Sequence, residues 1–276
     1  MRNGKTKQPR LTSVAKAIRL LQAFTAETPE LGISDLAKRL GLAKSTVHRL
    51  ASTLIEARLL EQNAQTVKYR LGLAIFELGA LVASQMDVSA QSVPYLERLM
   101  EKTGETVHLA ILDKNEVLYI NKIEKIDSLR TIRMYSRVGR RGPVYCTGIG
   151  KALLAFQPAH KIEEIIAAGL TAHTEHTITD PDTLRRHLSD IRARGYAVDN
   201  EEIEIGLRCI AAPIRDHSGN VIASISVAGP SQRLPKDRLI SFAPDVIGTA
   251  DTISRQLGFR ESRPVVHPLP LAQKGA

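Results

Sequence analysis

Cysteine is scarce in this 276-residue chain: Cys146 and Cys209 are its only two, far apart and outside any CxxC spacing. That excludes a disulfide framework and a zinc ribbon, and leaves each thiol as a small buried residue or part of a pocket wall. Long apolar runs are missing as well. No stretch approaches the roughly 20 residues that span a bilayer, and the basic start MRNGKTKQPR is not followed by the apolar core of a signal peptide. The expectation is a cytoplasmic protein without a membrane partner. A phosphate loop is also lacking: GIGKA at 148–152 has Tyr145 where such a loop needs its first glycine, and Ala152 follows the lysine.

Acidic residues are short in one region only. Residues 1–70 hold 13 Lys or Arg against 5 Asp or Glu, whereas the other 206 hold 25 against 24. Positive charge confined to the first quarter points to a polyanionic partner for that quarter, nucleic acid or an anionic membrane surface. With 43% hydrophobic and 24% charged residues the chain is otherwise ordinary for a globular protein, and its length suggests two domains.

Within that basic quarter, Val14, Ala17, Ile18, Leu21 and Phe24 recur at helical spacing over 13–25, and TPELG ends the pattern. Ser34 reads as the N-cap of a second helix with Asp35 in its first turn and Gly41 as its stop. A third helix begins near Lys44 in LAKSTVHRL. Three readings compete for its donors: a nucleic-acid reading helix, a phosphate or metal site, or a solvated face. Val47, Leu50, Ala51 and Leu54 form a core stripe, while Lys44, Ser45, Thr46, His48, Arg49, Ser52 and Thr53 occupy the other faces. No His or Cys lies at ligand spacing from His48. Two strands follow around Asn63 to Gln65; in the second, Val67, Tyr69 and Leu71 are expected inward, Lys68 and Arg70 outward. This order is that of a winged helix-turn-helix. Ser45 and Thr46 then suit phosphates and base edges, and Lys44 and Arg49 phosphates or guanine.

The apolar run LGLAIFELGALV is too sticky for a free linker and reads as a dimer-forming helix, followed by a helix over 88–103. The pattern then changes to strands at ETVHLAILD, VLYINKIE, TIRMYSRVG, LRCIAAPI and VIASISVAG. Between them come a turn through Gly148 and Gly150 into a helix, and a helix opened by Asp180 and Pro181 and closed by Gly195. A last helix runs over 235–257. This is an α+β, sensor-like domain. Asp199, Glu201, Glu202 and Glu204 form an acidic group with two readings, a metal or acid-base site and, favoured for the three glutamates, a solvated turn; His173 with His176 lacks an obvious third metal ligand. Nothing argues for catalysis, a cofactor or a metal. Two rival classes remain, an enzyme with an accessory DNA-binding module and a structural DNA-binding protein without a ligand.

With LAKSTVHRLASTL, TGIGKALLAF, DNEEIEIGLRCIAAPI and ASISVAGP in this order, the chain resembles the IclR family of bacterial transcriptional regulators. RMYSRVGRRGPVY and DNEE followed by GLRCIA look most like its KdgR-type branch, which responds to 2-keto-3-deoxygluconate. The resemblance implies a basic disordered tail at 1–10, a winged helix-turn-helix over 11–73, a linker helix over 74–88, a GAF-like effector-binding domain over 89–260 and a disordered tail at 261–276. It implies operator DNA as a partner, met by Ser34, Lys44, Ser45, Thr46, His48, Arg49, Lys68 and Arg70, and a homodimer or dimer of dimers. It implies a small carboxylate effector, a sugar acid or 2-oxo acid. Gly148 and Ile149 would hold the carboxylate through main-chain N–H groups, Asp199 would face hydroxyls or a carbonyl, Cys209 and Ser226 would add polar contacts, and Met134 and Leu207 would form apolar wall. Arg133 or Arg137 would assist. Ala228 stands where the family often has a serine, which removes one expected hydrogen bond.

Overall fold

The structure, a computed structural model, describes residues 12–84, 86–124 and 136–260. Both expected tails, Arg133, Met134 and most of the strand expected at 131–139 lie outside these residues. The chain divides into two compact units between Met86 and Asp87.

The first unit holds α1 (Thr12–Leu21), α2 (Ile33–Leu40), α3 (Lys44–Glu56), the hairpin β1 (Leu60–Gln62) and β2 (Tyr69–Leu71), and α4 (Leu73–Ser84). Gly32, not Ser34, is the N-cap of α2: its N–H donates to Asp35 Oδ2 at 3.3 Å, and Ser34 sits in the first turn on the exposed side. Gly41 ends the helix at φ 65°, a left-handed cap that costs glycine little. The stripe of α3 buries Val47, Ala51 and Leu54 against Leu20, Leu36, Leu40, Leu60 and Tyr69. Two more sequence expectations fail here. In α1 Leu20 is the buried anchor, which turns Val14 and Ile18 outward to about half exposure. In the hairpin, Asn63 Oδ1 accepts from Gln65 N and Thr66 N, and Val67 takes φ 58°. The turn therefore consumes Val67 and Lys68, and of the expected inward set only Tyr69 is buried.

The second unit is built on a six-stranded sheet in the order β5-β4-β3-β8-β7-β6, every neighbouring pair antiparallel. Its strands are β3 (Thr106–Asp113), β4 (Glu116–Ile123), β5 (Arg141–Pro143), β6 (Ala197–Asn200), β7 (Leu207–Arg215) and β8 (Val221–Pro230). Its helices are α5 (Asp87–Thr103), α6 (Gly148–Leu154), α7 (Ala159–Ala167), α8 (Pro181–Arg194), α9 (Lys236–Ser241) and α10 (Ala243–Gln256). The period of two in the central strands sorts side chains by size. Val107, Leu109, Ile210, Ile214, Ile225 and Val227 pack on one face against α5, α9 and α10. The other face carries His108, Cys209, Ala211, Ser224, Ser226 and Ala228. Local signals hold for α8: Asp180 Oδ1 accepts from Thr183 N at 2.8 Å, Pro181 opens the helix and Gly195 closes it at φ 81°. The expected single helix over 235–257 is instead two. Phe242 ends α9, and Pro244, with no N–H to give, occupies the first turn of α10.

Candidate nucleic-acid interface and effector cavity

On α3 the exposed face holds Lys44, Ser45, His48, Arg49, Ser52 and Thr53, with Thr46 half-buried beside them. Ser52 and Thr53 donate to the carbonyls of His48 and Arg49, so these two hydroxyls are committed to the helix. The N-cap is Ala43, which offers no side-chain acceptor, and the first N–H groups of the helix stay open to an outside anion. Lys68 is exposed in the turn of the hairpin rather than on a strand. Arg70 is exposed on β2 and is held by Glu61 across the hairpin through two N–H···O bonds of 2.9 and 3.1 Å.

In the second unit the small-residue face of the sheet lines a small cavity of about 30 Å³. His108 on β3 stands opposite Ser226 on β8, Ala228 opposite Cys209 on β7, and Cys209 opposite Asp199 on β6. Ile149 and Thr147 close it from the start of α6, and Tyr119, Ser136, Ile203 and Leu207 complete the wall. Thr147 caps α6, accepting from Gly150 N at 3.1 Å. Gly148 has no freedom to be anything larger: a Cβ there would lie 2.5 Å from Cys209 Sγ. Burial, helped by Lys122, lowers the His108 pKa to about 3, so the ring is neutral; its Nε2 lies 2.7 Å from Ser136 Oγ. Burial raises Asp199 to about 7 even though Lys151 draws it down. Burial likewise pushes Cys146 up to about 12 and raises Cys209, so both are thiols at neutral pH and neither is an activated nucleophile.

Residues 80–255 match the bacterial transcriptional regulator IclR C-terminal domain, and residues 13–64 match the IclR helix-turn-helix domain. The chain belongs to the IclR family. It is 39% identical to the HTH-type transcriptional regulator KdgR of Escherichia coli over 257 residues, 92% of this chain and 96% of that one, so the likeness to the KdgR type extends across both units. The crystal structure of Thermotoga maritima IclR is 32% identical and covers 91% of this chain, all of its own, at a TM-score of 0.77. An IclR homologue from Microbacterium hydrocarbonoxydans, solved in complex with 4-hydroxybenzoate, is 28% identical, covers 89% of this chain and 98% of its own, and superposes at 0.80. The family is one of DNA-binding transcriptional regulators, not of enzymes.

For this IclR-family chain the structure brings Ile149, Asp199, Leu207, Cys209 and Ser226 into one cavity wall and seats Gly148 against Cys209 and Asp199. Met134 lies outside the described residues, and Arg137 is exposed and absent from the lining. Sequence reasoning missed His108, Tyr119, Ser136, Thr147 and Ile203. It also misread Glu202. That residue is not a solvated turn residue but 5% exposed, ion-paired with Lys151, which is 0% exposed; Lys151 Nζ also lies 3.3 Å from His187 Nε2. Glu202 Oε2 is buried without a partner, and Glu202 N–H donates to Asp199 Oδ1 at 2.8 Å. Lys151 had a local signal: it is the single charge in the otherwise buried run Gly148–Leu154.

Proposed function

We propose that this IclR-family regulator binds a pseudo-palindromic operator as a symmetric homo-oligomer in the cytoplasm, and that a small carboxylate in the second unit changes its operator affinity. The observation that carries the reading is the convergence of neutral His108, Ser226, Cys209 and Asp199 with the first turn of α6 on one small cavity, in a unit separate from the one that holds α3. Ser226 and Asp199 offer polar contacts in a largely apolar lining, which suits a small sugar acid or 2-oxo acid, and a homologue of the same fold is known in complex with 4-hydroxybenzoate. On the DNA side Lys44, Ser45, Thr46, His48 and Arg49 form the contact face, with Ser34, Lys68 and Arg70 beside it. Half-sites then lie about one helical turn apart, or a multiple of it. The effector acts only through a difference in affinity between two arrangements of the oligomer.

A gel shift on the protein's own upstream region, repeated with a panel of sugar acids, 2-oxo acids and aromatic acids, tests both halves. A specific complex altered by one acid class is expected. A complex that no acid alters removes the effector half, and turnover of an acid by the purified protein, lost in Asp199→Ala, replaces it with an enzyme.

A further inference from the structure

The groups that face Asp199 decide what charge it carries. Lys151 approaches from α6, Glu202 from the turn after β6, Cys209 from β7 and Cys146 from the segment before α6. Across the cavity stand His108 on β3 and Tyr119 on β4. Lys151 is the one cation in this set, because the buried His108 ring is neutral. Lys151 is in turn engaged by Glu202, whose other oxygen is buried with no partner. Lys151 draws Asp199 toward ionisation without overcoming its burial, and a cation shared in this way between two buried carboxylates has little left for a third brought by a ligand. An ionised Asp199 would therefore meet a bound carboxylate as a like charge in a site shielded from water.

We propose, resting on the effector reading above, that an anionic effector enters this cavity together with one proton, which sits on Asp199 and makes that side chain a hydrogen-bond donor to the ligand. Geometry limits where the proton sits. The Asp199 carboxyl already accepts from the Glu202 N–H at Oδ1 and from the Ile203 N–H, so the proton takes a lone pair that these two donors leave open. The proton is within reach at neutral pH, since burial holds Asp199 at about 7 before a ligand adds its charge. Glu202 is the positioning residue: it orients Asp199 through the main chain and keeps Lys151 from pulling the proton off.

The test is isothermal titration calorimetry of the full-length protein with 2-keto-3-deoxygluconate and pyruvate as probes, from pH 6 to 9, in paired buffers of different ionisation enthalpy. Both probe carboxylates stay ionised across this range, so they do not titrate themselves. The dissociation constant should be flat below pH 7 and rise toward about tenfold per pH unit above it, with uptake of up to one proton per site. Asp199→Asn, which keeps an oxygen acceptor for the Glu202 N–H and offers an amide donor in place of the carboxyl O–H, should bind within a few-fold of the wild type at pH 6 without pH dependence. Glu202→Gln should move the bend to lower pH, because Lys151 is then free to hold Asp199 ionised; a merely structural role would not move it. A flat wild-type profile with tight binding and no proton uptake overturns the proposal alone. Binding of neither probe at any pH overturns both it and the effector reading.

Discussion

Replacing Lys151 by Met leaves Glu202 at 5% exposure with an uncompensated charge and one oxygen already without a partner. Breaking a buried pair from one side costs about 3–5 kcal/mol. For a unit of this size that is a fall in Tm of about 6–20 °C. Differential scanning calorimetry at pH 8 measures it, and two controls separate charge from packing. At pH 6 the loss should shrink, because burial raises the Glu202 pKa and an unpaired Glu202 can become neutral. The double replacement Lys151→Met with Glu202→Leu should recover most of the loss, since an apolar pair of similar volume needs no compensation. A single variant within 2 °C of the wild type, or a double variant no better than the single, would refute the reasoning that the pair's charge holds this region together.

Three further outcomes follow from the same geometry. Lys44→Ala and Arg49→Ala should each weaken operator binding and lower the salt slope by about 1, while Arg70→Ala, whose guanidinium is shared with Glu61, should do less; filter binding against salt concentration reads all three. Gly148→Ala should abolish the effector response with operator binding retained, because the new methyl group meets Cys209 Sγ; gel shifts with and without effector check it, and an unchanged response sinks the cavity geometry. Asp199→Asn should be more stable than the wild type at pH 8 and lose that advantage at pH 4. A buried acid raised from its ordinary value to about 7 favours the folded state at low pH and loses that contribution as pH climbs from about 4 to 7. Thermal melts across that window that run parallel for the two proteins would contradict it.

Local chemistry made much of this legible in advance. The stripe of α3 could be read because Val47, Ala51 and Leu54 obey a 3.6-residue period, and α8 because Asp180, Pro181 and Gly195 are cap and stop signals that act within a few residues. Reading failed where two apolar phases competed, as in α1, or where a side chain captured the backbone, as Asn63 does ahead of Val67. The cavity was half legible. Gly148, Asp199 and Cys209 were available by resemblance, but His108 and Ser136 meet across 28 residues of sequence, and nothing local announces that. Lys151 and Glu202 are 51 residues apart; Lys151 stands out as a lone charge in an apolar run, but nothing local names its partner.

The sorting of the central strands by size has an evolutionary consequence. Fold stability rests on the Ile and Val side chains facing α5 and α10, whereas Cys209, Ser226 and Ala228, which under the proposed function would set ligand preference, lie one residue step away on the same strands. Selection can therefore rewrite the chemical face without eroding the structural one. Under the proposed function, an exchange such as Ala228→Ser would change what the sheet recognises and leave the packing that keeps it folded untouched. A scaffold divided in this way can change its signal molecule many times over and keep the same architecture.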